Sequence, residues 1–148
     1  MQFMLAERDS CDNRNMVTYY CPSCWAEFHE NVELCPHCGY GIGSFDDLKY
    51  EQKLMKAAFH SIPENRYMAV EALGMLRTPG ALPILERILR EENNDVYLLY
   101  QVLKALANIP DPTSKELLEI AADHPYRLVR ERARQILEEY TNDQRTDT

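Results

Sequence analysis

Long apolar runs are missing from this chain. No stretch without a polar residue exceeds a few positions, far short of the roughly 20 that carry a helix across a bilayer, so no membrane-spanning helix is expected. An excess of basic charge is missing as well: 16 Lys and Arg stand against 24 Asp and Glu, for a net charge of −8. The deficit is spread along the chain, with two basic and six acidic groups in 1–43, thirteen and sixteen in 44–140, and one and two in 141–148. No segment offers the positive field that tight binding to nucleic acid phosphates or anionic lipid requires. Glycine is scarce, at five residues, and none belongs to a phosphate-cradling loop; H-E-x-x-H and G-x-S-x-G are absent too. No catalytic site is expected. The start, Met1–Asp9, lacks the basic residues and apolar core of a secretory leader, which points to the cytoplasm.

What is present falls into two parts. Residues 17–43 hold four of the five cysteines, as Cys21-Pro22-Ser23-Cys24 and Cys35-Pro36-His37-Cys38-Gly39, with ten residues between the pairs. Each C-x-x-C suits a tight knuckle that brings two thiolates to one ion, and four thiolates at about 2.3 Å complete a closed tetrahedron, the structural geometry of zinc. Three other chemistries compete. Disulfides fit poorly without a secretory signal. A redox C-x-x-C belongs at a helix start in a βαβ unit, and none is present. Iron in a rubredoxin-like site uses similar knuckles, with a longer chain between them. An open catalytic zinc site would lack one protein ligand, so one structural Zn2+ per chain is the expectation. His29 and His37 read as a turn residue and a knuckle residue. Between the knuckles, Trp25–Phe28 and Val32–Leu34 alternate as strands do, with His29-Glu30-Asn31 as the turn of a short β-hairpin. Cys11 lies in the polar lead-in, 1–16, and reads as an exposed spare thiol.

Residues 44–140 carry a helical pattern with a repeat. Ala72, Ala105 and Ile136 share one register, 33 and then 31 residues apart, and Ala81–Leu89 is answered 33 residues later by Ser114–Ala122. Paired helices at a fixed period of this length mean a stacked α-solenoid. Ser44 is expected to cap a first, unpaired helix over 44–60 that closes the stack, with Asp46 and Asp47 favouring its N-terminus. Helices are then expected at about 64–77, 79–92 (with Thr78 as its cap and Pro79 at its first position), 96–109, 113–122 and 126–140, broken by Ile62-Pro63, Thr78-Pro79-Gly80, Asn94-Asp95 and Pro110-Asp111-Pro112. The fourth of these six, apolar almost all round from Val96 to Ile109, belongs in the middle. His60 and His124, at helix ends, read as caps of carbonyls, and Arg134 is placed to pair with Glu138. Residues 141–148 are polar and are expected to fray as a disordered tail.

Two resemblances follow. The stretch around Cys21, Cys24, Cys35 and Cys38 resembles the small zinc ribbons written CPxC…CPxCG. Val129-Arg130…Ala133…Ile136-Leu137, with weaker copies at Arg66…Ala72-Leu73 and Leu98…Leu106, resembles the HEAT repeat in its phycobilisome-lyase-like variety. The whole is then all-α, a short solenoid of HEAT-like repeats with a small zinc-ribbon hairpin at its amino-terminal end. The HEAT resemblance implies a protein–protein interaction or scaffold module, with the second helix of each pair lining the partner side. It nominates Glu86, Arg87, Arg90, Lys115, Glu116, Glu119 and Asp123 for partner contact. It also leaves an accessory lyase or chaperone-like role open, since this variety occurs in lyases that attach bilin pigments. A third alternative is nucleic acid binding through the ribbon, with Tyr19, Tyr20, Trp25 and Phe28 stacking on bases.

Overall fold

The computed structural model describes residues 17–91 and 94–146; the lead-in at 1–16 and the spare thiol expected at Cys11 lie outside them. Two short strands, β1 (Tyr19–Tyr20) and β2 (Glu27–Phe28), are followed by six helices. These are α1 (Tyr50–Ala57), α2 (Pro63–Met75), α3 (Leu82–Glu91), α4 (Val96–Asn108), α5 (Pro112–Ala121) and α6 (Arg127–Thr146). Helices α2, α4 and α6 pack in one row, α3 and α5 in a second, and α1 covers the end at α2. This is the short α-solenoid that the period implied.

Local sequence explains the boundaries. Pro63 and Pro112 open α2 and α5, where a missing N–H costs nothing. Asp95 caps α4 by accepting from Leu98 N at 2.9 Å, and Asp111 caps α5 by accepting from Thr113 N at 2.8 Å. Asp95 does more: its carboxylate also accepts from Tyr67 Oη at 3.0 and 2.9 Å and faces Arg66 at 3.5 Å. One residue thus starts α4 and ties it to α2. Helix α2 ends in a Schellman turn, with Thr78 N–H donating to Leu73 O and Arg77 N–H to Gly74 O. Arg77 takes the left-handed position there at φ 51°, a place that suits glycine.

The core is continuous and centred on α4. Leu98, Leu99, Val102, Leu103, Ala105 and Leu106 are all buried, packed with Val70 and Leu73 from α2, Leu85 and Ile88 from α3, Leu118 from α5, and Val129 and Ala133 from α6. Helices α2 and α4 approach so closely that a Cβ added at Gly74 would lie 2.6 Å from Ala105 Cα. At the far end, Tyr140 Oη donates to Ala107 O at 2.6 Å and fixes α6 to the tail of α4; burial raises the Tyr140 pKa.

Several expectations are corrected. Ser44 does not cap α1. It lies in a 3-10 turn at Ile42–Phe45 and its hydroxyl donates to Gly41 O. Helix α1 starts six residues later, where Gln52 Oε1 accepts from Lys49 N at 3.0 Å. Arg134 turns from Glu138 to the end of α5, donating to Ala122 O at 3.0 Å and facing Asp123 at 4.0 Å, because the carbonyls there lack helical partners. Helix α6 runs through Thr146 and so takes in most of the stretch expected to fray.

His60 and His124 both do more than the expectation gave them. The His124 ring meets the backbone of Leu89 near the end of α3, as a carbonyl cap does, and His60 shows no such contact. His60 Nδ1 accepts from Ile62 N at 2.9 Å and His124 Nδ1 from Tyr126 N at 3.2 Å, each covering a donor just ahead of α2 or α6. The two stand three residues before their helices, and the repeat register that joins them passes through Asn93. Burial lowers both pKa values, helped by Arg66 at His60 and by Arg130 at His124, while a backbone contact to Leu89 works the other way at His124.

Candidate metal centre and partner surface

The ribbon is two copies of one turn. In the first, Trp25 N–H donates to Cys21 O at 2.8 Å and Cys21 N–H to Ala26 O at 3.0 Å. In the second, Gly39 N–H donates to Cys35 O at 2.9 Å and Cys35 N–H to Tyr40 O at 2.8 Å. Ser23 N and His37 N point at the sulfurs of Cys21 and Cys35, each at 3.4 Å. The equivalent residues Trp25 and Gly39 both adopt left-handed backbone, at φ 58° and 74°. The strands flank these knuckles: Tyr19 pairs with Phe28 and Tyr20 with Glu27 around the first, and Leu34 bridges Gly41 around the second. The hairpin is therefore not Trp25–Phe28 with Val32–Leu34. The chain reverses at the knuckle, where the sulfurs demand it, and His29–Asn31 only links one knuckle to the next.

The two knuckles bring Cys21, Cys24, Cys35 and Cys38 together with all four sulfurs within 4.8 Å of one another. Cys21 Sγ lies 3.6 Å from Cys38 Sγ and Cys24 Sγ 3.7 Å from Cys35 Sγ. A zinc–sulfur bond of about 2.3 Å puts tetrahedral sulfurs about 3.8 Å apart, whereas a disulfide needs about 2.05 Å. The cysteines are free, and their spacing fits a metal tetrahedron. Their electrostatics point the same way. Burial pushes the Cys21 thiol up. Burial also opposes ionisation of Cys35, but the N–H groups of Cys38 and His37 and the adjacent thiols outweigh it and bring the group down to about 6. The backbone at Ala26 favours a Cys24 thiolate, yet burial and the three neighbouring sulfurs push it to about 12. Thiolates this close oppose one another, and a divalent cation between them removes the conflict. Cys21 and Cys35 are buried, and Cys24 and Cys38 are at the surface.

The ribbon is docked on the solenoid rather than tethered to it. His60, at the end of the α1 segment, packs against Tyr20 at 4.8 Å and Trp25 at 4.3 Å between ring centres. Lys56 Nζ sits 5.3 Å from the Tyr40 ring. Tyr19 stacks on Phe28 at 5.9 Å. All four aromatics nominated for base stacking thus have ring partners within the chain. His60 gave no sign of this role in the sequence; its register with His124 shows the backbone role alone.

The residues nominated for partner contact occupy neighbouring helices. Glu86, Arg87 and Arg90 lie on α3, Lys115, Glu116 and Glu119 on α5, and Asp123 just beyond it. Arg87 Nε donates to Glu91 and Arg90 Nε to Glu86, both at 2.9 Å, on an exposed surface. Arg90 and Asp123 line one open groove of about 410 Å3 with Leu89, Ile120, His124 and Pro125. Arg87 faces elsewhere, over the Phe59 ring at 4.7 Å.

Among known proteins, the family described as HEAT repeats matches residues 37–99, from the second knuckle to the start of α4. No curated protein and no solved structure matches the chain.

Proposed function

We infer that this chain, with its HEAT repeats and the four-cysteine ribbon on their amino-terminal end, is a non-catalytic protein-interaction module with structural zinc. The observation that carries the reading is the surface that α3 and α5 make together. There Arg90, Asp123 and the exposed Ile120 border one open groove, with Lys115, Glu116 and Glu119 exposed on α5. An apolar centre with charges of both signs around it is the pattern of a protein contact, in which the charges select the partner. Zinc supplies the cross-link that a 27-residue unit cannot provide by burial alone. The knuckle N–H groups of Ser23 and His37 orient the thiolates, and Trp25 on His60 carries that rigidity into the solenoid.

The test is affinity capture of the tagged full-length chain from its own host, with metal analysis of the same sample. A protein partner that is lost on combined Arg90→Glu and Lys115→Glu, with circular dichroism unchanged, supports the surface, and one zinc per chain supports the ribbon. Recovery of a pigment or RNA with no protein would overturn the interaction reading. Iron in the four-cysteine site would overturn the zinc assignment.

A further inference from the structure

Where the ribbon meets the solenoid, a cleft of about 430 Å3 opens between the first knuckle and helices α1 and α3. Pro22, Trp25, Met55, Phe59 and Ile84 give it apolar walls, and Lys56 and Arg87 stand beside them. Both cations rest on aromatic rings, Lys56 on Tyr40 and Arg87 on Phe59, and Lys53 lies 5.4 Å from the Phe45 ring one turn before Lys56. Such contacts hold a cation in place while leaving its charge available. Arg87 shares its charge with Glu91. Lys53 and Lys56 have no ion pair with a carboxylate among the described residues. A chain of net charge −8 therefore places two cations, Lys56 and Arg87, at an apolar slot, with Lys53 one turn away.

We propose that this cleft docks an acidic peptide segment of a partner protein, anchored by one large apolar side chain between Trp25, Met55 and Phe59. The proposal rests on the interaction reading and deepens it by giving the partner's chemistry. A slot of this volume accepts an anchor side chain and part of its flanking backbone. Acidic residues on either side of the anchor meet Lys56 and Arg87, and a basic partner is repelled. One wall, from Pro22 to Trp25, is the first knuckle itself. Docking thus requires a metal-loaded ribbon.

The probe is a phage-displayed pool of random peptides selected on the metal-loaded full chain, with the Lys56→Glu variant as counter-selection. The expected enrichment is for Leu, Phe or Trp flanked by Asp and Glu. Trp25 is the sole tryptophan, so a synthetic copy of a selected peptide anchored by Leu or Phe should shift its emission. Lys56→Glu and Arg87→Glu should each weaken that peptide about tenfold or more, and chelation should abolish binding. Two separate variants, checked by circular dichroism and zinc content, guard against loss through misfolding. No enrichment, enrichment of neutral or basic sequences, or undiminished binding by both variants relative to the parent would overturn the proposal. If a host protein is captured through Arg90 and Lys115 while the peptide selection fails, only the cleft falls. If neither yields a protein or peptide partner, both readings fall.

Discussion

Gly74→Ala sets helix propensity against packing. On propensity alone, alanine within a helix gains about 1 kcal/mol over glycine. Here the new methyl would lie 2.6 Å from Ala105 Cα and 2.9 Å from Ala105 Cβ. Carbon atoms rest at about 3.5–4.0 Å, so α2 and α4 must part by about 1 Å. Neither neighbour is the far end of a flexible side chain, and Val70, Leu73, Val102 and Leu106 sit in the same fully packed seam. Overpacking of this kind costs about 1–3 kcal/mol, and the rigid neighbour points to the upper end. The net expectation is destabilisation by about 1–2 kcal/mol, or a fall in Tm of about 2–4 °C for each kcal/mol in a domain of this size. Urea unfolding followed by circular dichroism reads it. Gly43→Ala, with nothing within 4 Å of its new methyl, should stay within about 0.5 kcal/mol of the parent. A Gly74→Ala protein as stable as the parent, or more so, would refute close packing of α2 on α4.

Arg77→Gly should stabilise the protein by roughly 1 kcal/mol, because it removes a side chain from the left-handed position of the α2 Schellman turn; thermal unfolding checks it, and a loss of stability would contradict that turn. Asp95→Ala removes the α4 cap together with the contacts to Tyr67 and Arg66 and should cost about 2–3 kcal/mol in urea unfolding. His60 and His124 must be neutral at Nδ1 to accept their hydrogen bonds, and both have lowered pKa values. Their contribution is therefore complete above the ordinary histidine pKa near 6.5 and is lost as pH falls through the lowered values. Tm measured against pH should show that acid-side decline, and His124→Asn, the residue found at the register of Asn93, should flatten it.

The four cysteines that the structure brings together were legible in the sequence, since C-x-x-C spacing leaves few other arrangements. The ribbon's strands were not. Paired segments of two residues are too short for alternation to appear, and the chain turns where sulfur geometry requires, with Trp25 in a backbone region usually left to glycine. The repeat revealed the helices because Ala72, Ala105 and Ile136 recur with the packing period. Gly74 was invisible because its partner, Ala105, lies a full repeat away, and a lone glycine in a helix looks like weakness rather than contact. Ser44 misled because serine before acidic residues looks like a cap, whereas the chain spends those residues on a 3-10 turn leading out of the ribbon. His60 and His124 each look like a carbonyl cap taken singly; their common register, two repeats apart, is what points to the backbone N–H role they share. The packing of Trp25 on His60 joins residues far apart in the chain, and no local pattern reports it.

A ribbon held by its metal as a cap, on a solenoid that stands without it, is tested most directly by hydrogen exchange before and after chelation. The expected result is loss of protection across the knuckles at 19–42 and around His60, with α4 still protected. Loss of protection throughout α4, or no change at the knuckles, would contradict it.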